Sequence, residues 1–178
     1  MQKCGSAGWR LAFTWHYLES VKGELKVGYR DWEEFKEISQ KSPENMICLL
    51  TGNVHHIQRY DKNGAPLPTN YLYPPVTEQE LKAWGEYCKY LAEETKGVVN
   101  IFEVWNEWDL PYTNLERLGA KEYVALLKTA NEAIKSVNPD AIVVGLGGAG
   151  TGTDGSFDRG VIAEGGMEYS DSCIITDE

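Results

Sequence analysis

The sequence predicts an α/β fold in which parallel strands alternate with covering helices. Short apolar runs recur along the chain, and amphipathic segments with helical spacing lie between them. Capping residues and a proline mark where these helices begin and end. This alternation is typical of a parallel sheet, either doubly wound or part of a (β/α)8 barrel.

The predicted strands are apolar runs of the length and composition found in strands that are buried on both faces. They are WRLAFT at 9–14, MICLL at 46–50, VNIFEVW at 99–105, AIVVGL at 141–146 and SCIIT at 172–176.

Two long helices are predicted between these runs. The first opens with a capping-box pair, Thr77 and Glu80, and stops at Lys96-Gly97. The second ends at Asn138-Pro139 because proline cannot continue a helix. Their apolar faces are Leu81, Trp84, Cys88 and Leu91 in the first, and Tyr123, Leu126, Leu127, Ala130, Ile134 and Val137 in the second. Shorter helices are predicted at 31–40 and around 157–168.

Composition limits the classes of partner. The chain has 178 residues, which suits one domain, and a formal net charge of -10, which disfavours nucleic acid and anionic membrane surfaces. No apolar run approaches the ~20 residues of a membrane span. The four cysteines, Cys4, Cys48, Cys88 and Cys173, lie far apart and are expected to be buried free thiols. A neutral partner fits this composition best.

Polar and aromatic residues directly follow the first three predicted strands. In both candidate architectures, ligands bind at the carboxyl ends of the parallel strands. The residues expected on that edge are Trp15, His16, Asn53, His55, His56, Asn106 and Glu107. Amides and carboxylates bind hydroxyl groups, and indoles cover the apolar faces of sugar rings. This set therefore predicts a carbohydrate site.

One motif on this edge supports a more specific hypothesis. The stretch EVWNEWD at 103–109 resembles the Trp-Asn-Glu signature of clan A glycoside hydrolases, which are retaining enzymes built on a (β/α)8 barrel. The stretch at 9–35 is similar to the strand 2 region of that clan, with Arg10 matching the arginine that supports the site. LLTGNVHHIQRY at 49–60 and the segment leading to NIFEVWNE are similar to strands 3 and 4 of β-xylosidase-like members, family 39 among them. Trp108 stands where many relatives have proline.

The resemblance implies a partial (β/α)8 barrel. Counted this way, residues 1–178 form a single fragment of a catalytic domain with about strands 2 to 6 of eight, lacking strand 1 and strands 7 and 8. The nucleophile of the clan follows strand 7, so we expect it outside this chain. Glu178, Glu103 and Asp109 are not assigned that role.

The resemblance also implies roles for individual residues. Glu107 is expected to be the general acid/base, with Asn106 binding the sugar 2-hydroxyl and Arg10 supporting both. Further substrate contacts are expected from Trp108, Trp15, His16, Asn53 and His55, although Trp15 and Trp84 also suit packing positions. The substrate would be an oligosaccharide or polysaccharide, or an aryl or alkyl glycoside. No cofactor is implied, and no metal is expected because adjacent His55 and His56 point in opposite directions in an extended segment.

The sequence is also compatible with two other classes of protein. A noncatalytic carbohydrate-binding relative would keep Trp108 and Asn106 without needing a nucleophile. GLGGAG at 145–150 also imitates the G-x-G-x-x-G pattern of dinucleotide-binding folds. That match is interpreted as accidental, because TGTDGS at 151–156 prolongs the loop before any helical pattern begins.

Overall fold

The computed structural model describes residues 9–26, 36–37, 40, 46–53, 60–61, 63–67, 72–146 and 155–173. In chain order the elements are β1 (Trp9–Thr14), α1 (Trp15–Leu18), β2 (Met46–Thr51), α2 (Glu78–Glu94), β3 (Ile101–Val104), α3 (Ala120–Val137), β4 (Ile142–Gly145), α4 (Ser156–Ala163), a 3-10 helix (Gly166–Tyr169) and β5 (Ser172–Cys173). The helix predicted at 31–40 falls mostly outside the described residues. In these ranges, no helix is both long and apolar enough to cross a membrane.

The strands form one parallel sheet in the order β1-β2-β3-β4-β5. Thr14 pairs with Thr51, and Leu50 pairs with Val104, so the first three strands end at nearly the same level. The order follows the sequence without the reversal that defines a doubly wound sheet, and it is the order of a (β/α)8 barrel. The predicted α/β class is confirmed.

The two long helices cover one face of this sheet. Side chains alternate along each strand, so Phe13, Leu50 and Phe102 point toward α2 and α3 and are buried in a common core with Trp84 and Leu126. Arg10 and Glu103 occupy alternate positions and lie on the opposite face. The helix-covered face is therefore an apolar core, whereas the other face carries charged groups.

The predicted start of α2 is confirmed, whereas the helix ends at Glu94, two residues before the predicted stop at Lys96-Gly97. The Thr77 hydroxyl accepts a hydrogen bond from the Glu80 backbone N–H at 3.2 Å, and the Glu80 carboxylate accepts one from the Thr77 N–H at 3.0 Å. Helix α3 ends at Val137, before Pro139. These capping groups satisfy backbone donors that a free helix end would expose.

Two of the four cysteines lie in the core. Cys48 in β2 and Cys88 in α2 are buried free thiols, as predicted. Burial raises the pKa of both thiols, and their mutual interaction adds to the effect at Cys88. They therefore behave as small apolar side chains.

A continuous row of aromatic rings lies under the carboxyl edge of the sheet. Its members are Tyr87, Trp15, Trp84, Trp105, Trp108, Tyr123 and Phe157, and neighbouring ring centroids are 5.1 to 5.9 Å apart. This aromatic row joins α1, α2, the loop after β3, α3 and α4. Tilted and stacked pairs at such distances add stability beyond the area they bury.

Two tyrosine hydroxyls of this row bind the ends of the strands. Tyr87 donates a hydrogen bond to the Phe13 carbonyl at the end of β1. Tyr123 donates to the Val104 carbonyl at 3.1 Å and accepts from the Leu146 N–H at 2.9 Å, which links the ends of β3 and β4. The aromatic row thereby fixes the edge from which the site loops emerge.

The chain turns through a left-handed residue directly after β2, β3 and β4. These residues are Gly52 (φ 115°), Trp105 (φ 67°) and Leu146 (φ 58°). At Gly52 a side chain is also excluded by space, since a Cβ would lie 2.7 Å from both Thr14 Cγ2 and the Trp15 nitrogen. Glycine at this position lets β2 turn beside the end of β1.

We expect Gly52→Ala to destabilise the chain by about 2–5 kcal/mol, because a left-handed alanine adds to an overpacked contact. Gly97→Ala is the matched control, since Gly97 is also left-handed (φ 80°) but a Cβ added there would have no atom within 4 Å. That control should lose only about 1–2 kcal/mol. Urea unfolding followed by tryptophan fluorescence gives both values, and equal losses would contradict the steric account.

Candidate active site

A partly buried ion pair crosses the face of the sheet opposite the helices. Arg10 Nε lies 2.5 Å from Glu103 Oε2, and Arg10 Nη2 donates to Glu103 Oε1 at 2.8 Å. The Glu103 side chain is 2% exposed and that of Arg10 is 44% exposed. Hydrogen bonding to Glu103 raises the pKa of Arg10, against the opposing effect of partial burial. This fork-to-fork geometry fixes the plane of the guanidinium group.

The same arginine reaches the Trp-Asn-Glu motif. Arg10 Nη2 donates a second hydrogen bond to Asn106 Oδ1 at 2.9 Å, and Asn106 Nδ2 donates to Glu107 Oε2 at 3.2 Å. The negative charge of Glu107 also contributes to the raised pKa of Arg10. Glu103, Arg10, Asn106 and Glu107 thus form one hydrogen-bonded chain, called here the polar chain, which ends at the Glu107 carboxylate.

The backbone that carries Glu107 is strained. Trp105 and Glu107 both adopt left-handed conformations, with φ of 67° and 47°. Such residues cost on the order of 1–3 kcal/mol each and cluster at functional sites. The surrounding structure has to hold them in place.

Hydrogen bonds of Thr113 stabilise this strained backbone. Its hydroxyl donates a hydrogen bond to the Glu107 carbonyl, which also accepts one from the Leu110 N–H at 2.9 Å. The Thr113 carbonyl in turn accepts from the Trp105 indole N–H at 3.0 Å. The loop after β3 therefore folds back onto the motif and fixes the position of Glu107.

The indole of Trp108 does not lie on the rim surface. Its ring is 2% exposed between Trp105 and Tyr123, and its N–H donates to the Leu118 carbonyl at 2.9 Å. The expectation that Trp108 contacts substrate is wrong in this structure, because both its ring and its polar atom are used inside the aromatic row.

Trp15 is corrected in the same way. It is buried, stacks on Tyr87 with ring centroids 5.4 Å apart, and donates its indole N–H to Glu19 Oε2 at 2.5 Å. Of the two readings that the sequence allowed, packing is confirmed for Trp15 and also for Trp84, which is fully buried.

Two of the remaining predicted contacts, His16 and Asn53, lie directly after strands β1 and β2. His16 is partly buried in α1, directly after β1, with its ring 4.3 Å from that of Tyr17. Asn53 follows β2, and its Oδ1 accepts a hydrogen bond from the Tyr73 N–H at 2.6 Å, which fixes the segment before α2. His55 and His56 lie outside the described residues.

Sequence reasoning missed several residues of this edge. From the sequence, Glu103 is assigned no role, although a carboxylate within an apolar strand is a signal for a buried partner of Arg10. Thr113 gave no signal of its own.

Exposed aromatic surface comes from Tyr17, which is 65% exposed after β1, and from Tyr112, which is 53% exposed after β3.

Two further carboxylates, Asp109 in the loop after β3 and Asp158 in α4, interact electrostatically. Partial burial raises the pKa of Asp158 in α4, and the charge of Asp109 adds to this effect against the opposing influence of Arg159. Across the described ranges, no group of three or more His, Cys, Asp or Glu side chains is arranged to hold a metal ion. The glycine pattern at 145–150 falls mostly outside the described residues, and the next described helix begins at Ser156.

Comparison with known proteins gives matches in structure but not in sequence. No protein-family model matches the chain, and no curated protein sequence matches it. A family 39 glycoside hydrolase from the gut symbiont Bacteroides cellulosilyticus WH2 superposes on 95% of the chain with a TM-score of 0.66 and 25% identity. The fold matches part of the barrel of this glycoside hydrolase. The predicted partial (β/α)8 barrel and the resemblance to clan A enzymes are thereby confirmed.

Two other solved glycoside hydrolases support this fold. An exo-β-1,4-mannosidase from Opitutaceae bacterium strain TAV5 matches 83% of the chain with a TM-score of 0.55 and 15% identity. A β-galactosidase from the psychrophilic Marinomonas ef1 matches 82% with a TM-score of 0.56 and 13% identity. The chain spans 32%, 26% and 33% of the lengths of these three structures.

We expect Arg10→Met to destabilise the chain by about 3–5 kcal/mol, because it leaves the Glu103 charge buried without its partner. Glu103→Gln should cost only about 1–2 kcal/mol, since the charge is removed and the partly exposed arginine can still be hydrated. Urea unfolding at neutral pH measures both losses. A smaller loss for Arg10→Met than for Glu103→Gln would contradict the buried-charge account.

Proposed function

We propose that this chain is part of a retaining glycoside hydrolase that cleaves a β-linked saccharide, with Glu107 as general acid/base. The observation that carries the proposal is the polar chain, which presents the Glu107 carboxylate at the carboxyl edge of a glycoside hydrolase barrel. Active sites of such barrels lie at that edge.

Glu107 would act twice in this reaction. As an acid it protonates the glycosidic oxygen of the leaving group, and as a base it later activates the water that releases the sugar. Between these steps a second carboxylate, about 5–5.5 Å away in retaining enzymes, holds the sugar covalently. Glu103 does not suit that role, because Arg10 engages both of its oxygens and its side chain is 2% exposed.

The nucleophile is therefore proposed to come from barrel strands beyond β1–β5. The share of the matched structures that this chain spans, 32% of the family 39 structure, supports the proposal that it is one piece of a larger catalytic domain. The double displacement then needs Glu107 from this chain and the nucleophile from the other strands of the barrel.

Asn106 is proposed to bind the substrate next to Glu107. Its Oδ1 accepts from Arg10, so Nδ2 is the group that can donate to a sugar hydroxyl. A hydrogen bond to the 2-hydroxyl that strengthens as the oxocarbenium ion develops would stabilise the transition state.

The aromatic surfaces offered to sugar are proposed to be those of Tyr17 and Tyr112, in place of the buried Trp15 and Trp108. Tyrosine rings cover the apolar faces of pyranosides as indoles do.

The substrate class is an oligosaccharide or polysaccharide, or an aryl or alkyl glycoside. The net charge of -10 favours such a neutral partner over nucleic acid or an anionic membrane surface, and the mechanism needs no cofactor.

The test compares aryl β-glycosides with good and poor leaving groups, using the longest natural protein that contains this chain. We expect Glu107→Gln to lower kcat/KM on poor leaving groups by about 10²–10⁴-fold, because proton donation is lost. Glycosylation by dinitrophenyl glycosides should survive much better, because that leaving group needs little protonation. Glu116→Gln, an exposed carboxylate in the same loop, is the matched control.

Unchanged hydrolysis of poor leaving groups by Glu107→Gln would contradict the assignment. Saturable sugar binding by the natural protein without any turnover would instead identify a noncatalytic carbohydrate-binding relative.

We expect these 178 residues alone not to hydrolyse glycosides, because no glycosyl-enzyme intermediate can form without the second carboxylate. The isolated chain and the longest natural protein should be assayed side by side on dinitrophenyl glycosides. Turnover by the isolated chain that Glu107→Gln abolishes would place the nucleophile among its own carboxylates.

A further inference from the structure

We propose that Glu103 is a positioning residue that acts on Glu107 through Arg10 and Asn106. Its role is to fix the orientation of the Asn106 amide so that the NH₂ group faces the Glu107 carboxylate. The inference rests on the proposed acid/base function of Glu107 and adds a residue that does not touch the reacting atoms.

The donors and acceptors of the polar chain fix which way each of its hydrogen bonds runs. A guanidinium group carries only donors, and an ionised carboxylate carries only acceptors. The Asn106 amide lies between such groups, with Oδ1 2.9 Å from Arg10 Nη2 and Nδ2 3.2 Å from Glu107 Oε2. A reversed amide would place its NH₂ group against the Arg10 guanidinium, donor against donor. Arg10 therefore determines which way Asn106 faces.

Arg10 can do this only if its own guanidinium is fixed. Its side chain is long and 44% exposed, so one contact would leave it several rotamers. Two parallel hydrogen bonds to Glu103 remove that freedom, at 2.5 and 2.8 Å. Nη2 carries two hydrogens, and the second is then aimed at Asn106.

The position of Glu103 in the sheet explains how the contact crosses β2. Arg10 is level with Ile47, which is level with Ile101, so Glu103 lies two residues farther toward the carboxyl edge. The arginine side chain spans β2 diagonally, from β1 to the strand that leads into the motif. Because apolar replacements of buried ion pairs are often neutral for stability, stability alone gives little reason for a carboxylate at position 103.

The test is a double-mutant cycle on the longest natural protein that contains this chain. Glu103→Gln should lower kcat/KM on poor leaving groups by about 10–100-fold while changing dinitrophenyl glycosides less than about threefold. In an Asn106→Ala background, the same change should have almost no further effect on leaving-group selectivity, because the intermediate link is gone. Arg10→Lys keeps the positive charge but cannot form the two parallel hydrogen bonds to Glu103, so it should give the same selective loss. It replaces Glu103→Gln in the test if that variant does not fold.

Asp171→Asn is the matched control. Asp171 forms an ion pair with Lys135 at 2.8 Å, and its carboxylate accepts from the Val143 N–H near the start of β4, at the other end of the sheet. Its loss should lower thermal stability without changing the ratio between good and poor leaving groups.

A Glu103→Gln loss that is equal on all leaving groups, or that adds fully to Asn106→Ala, would overturn the positioning role. If Glu107→Gln itself shows no leaving-group selectivity, the proposed function fails and the inference fails with it. If Glu107→Gln is selective and Glu103→Gln is not, only the role of Glu103 is wrong.

Discussion

The aromatic row under the carboxyl edge is the constraint on which the rest of this structure depends. It links α1 to α4 through rings packed 5.1 to 5.9 Å apart, and two of its hydroxyls bind the ends of three strands. Trp105 and Trp108 belong to this row, so the tryptophans of the motif hold the loop after β3 against the core. Their burial leaves Asn106, Glu107 and Asp109 as the partly exposed residues of the stretch 103–109.

The site above this row combines a strained backbone at Trp105 and Glu107 with an ion pair that orients the neighbouring side chains. Left-handed backbone at Trp105 and Glu107 costs free energy, which packing of the two indoles and the hydrogen bonds of Thr113 offset. The pair formed by Arg10 and Glu103 then acts on the side chains instead of the backbone. The backbone and the side chain of Glu107 are thus held by separate sets of contacts.

The fold was predictable because its signals are local. Apolar runs marked every described strand, and the pair of Thr77 and Glu80 marked the start of α2. The position of Glu107 at the end of a strand followed from the same pattern, whereas the direction of Trp108 did not. A left-handed turn at Trp105 sends the following loop back toward α3, and no local pattern encodes that turn. The pairing of Arg10 with Glu103 could not be predicted, because it depends on the register of β1 and β3 on either side of β2.

The central claim is that Glu107 is the acid/base of a double displacement, and chemical rescue of Glu107→Ala tests it most directly. Azide is a small anion that attacks a glycosyl-enzyme without needing a general base, so it can replace the activated water. With a dinitrophenyl β-glycoside, we expect azide to restore turnover of Glu107→Ala and to yield the β-glycosyl azide, with the configuration of the substrate retained. Formation of the inverted α-glycosyl azide would contradict the account, because it would place the nucleophilic carboxylate at Glu107 itself.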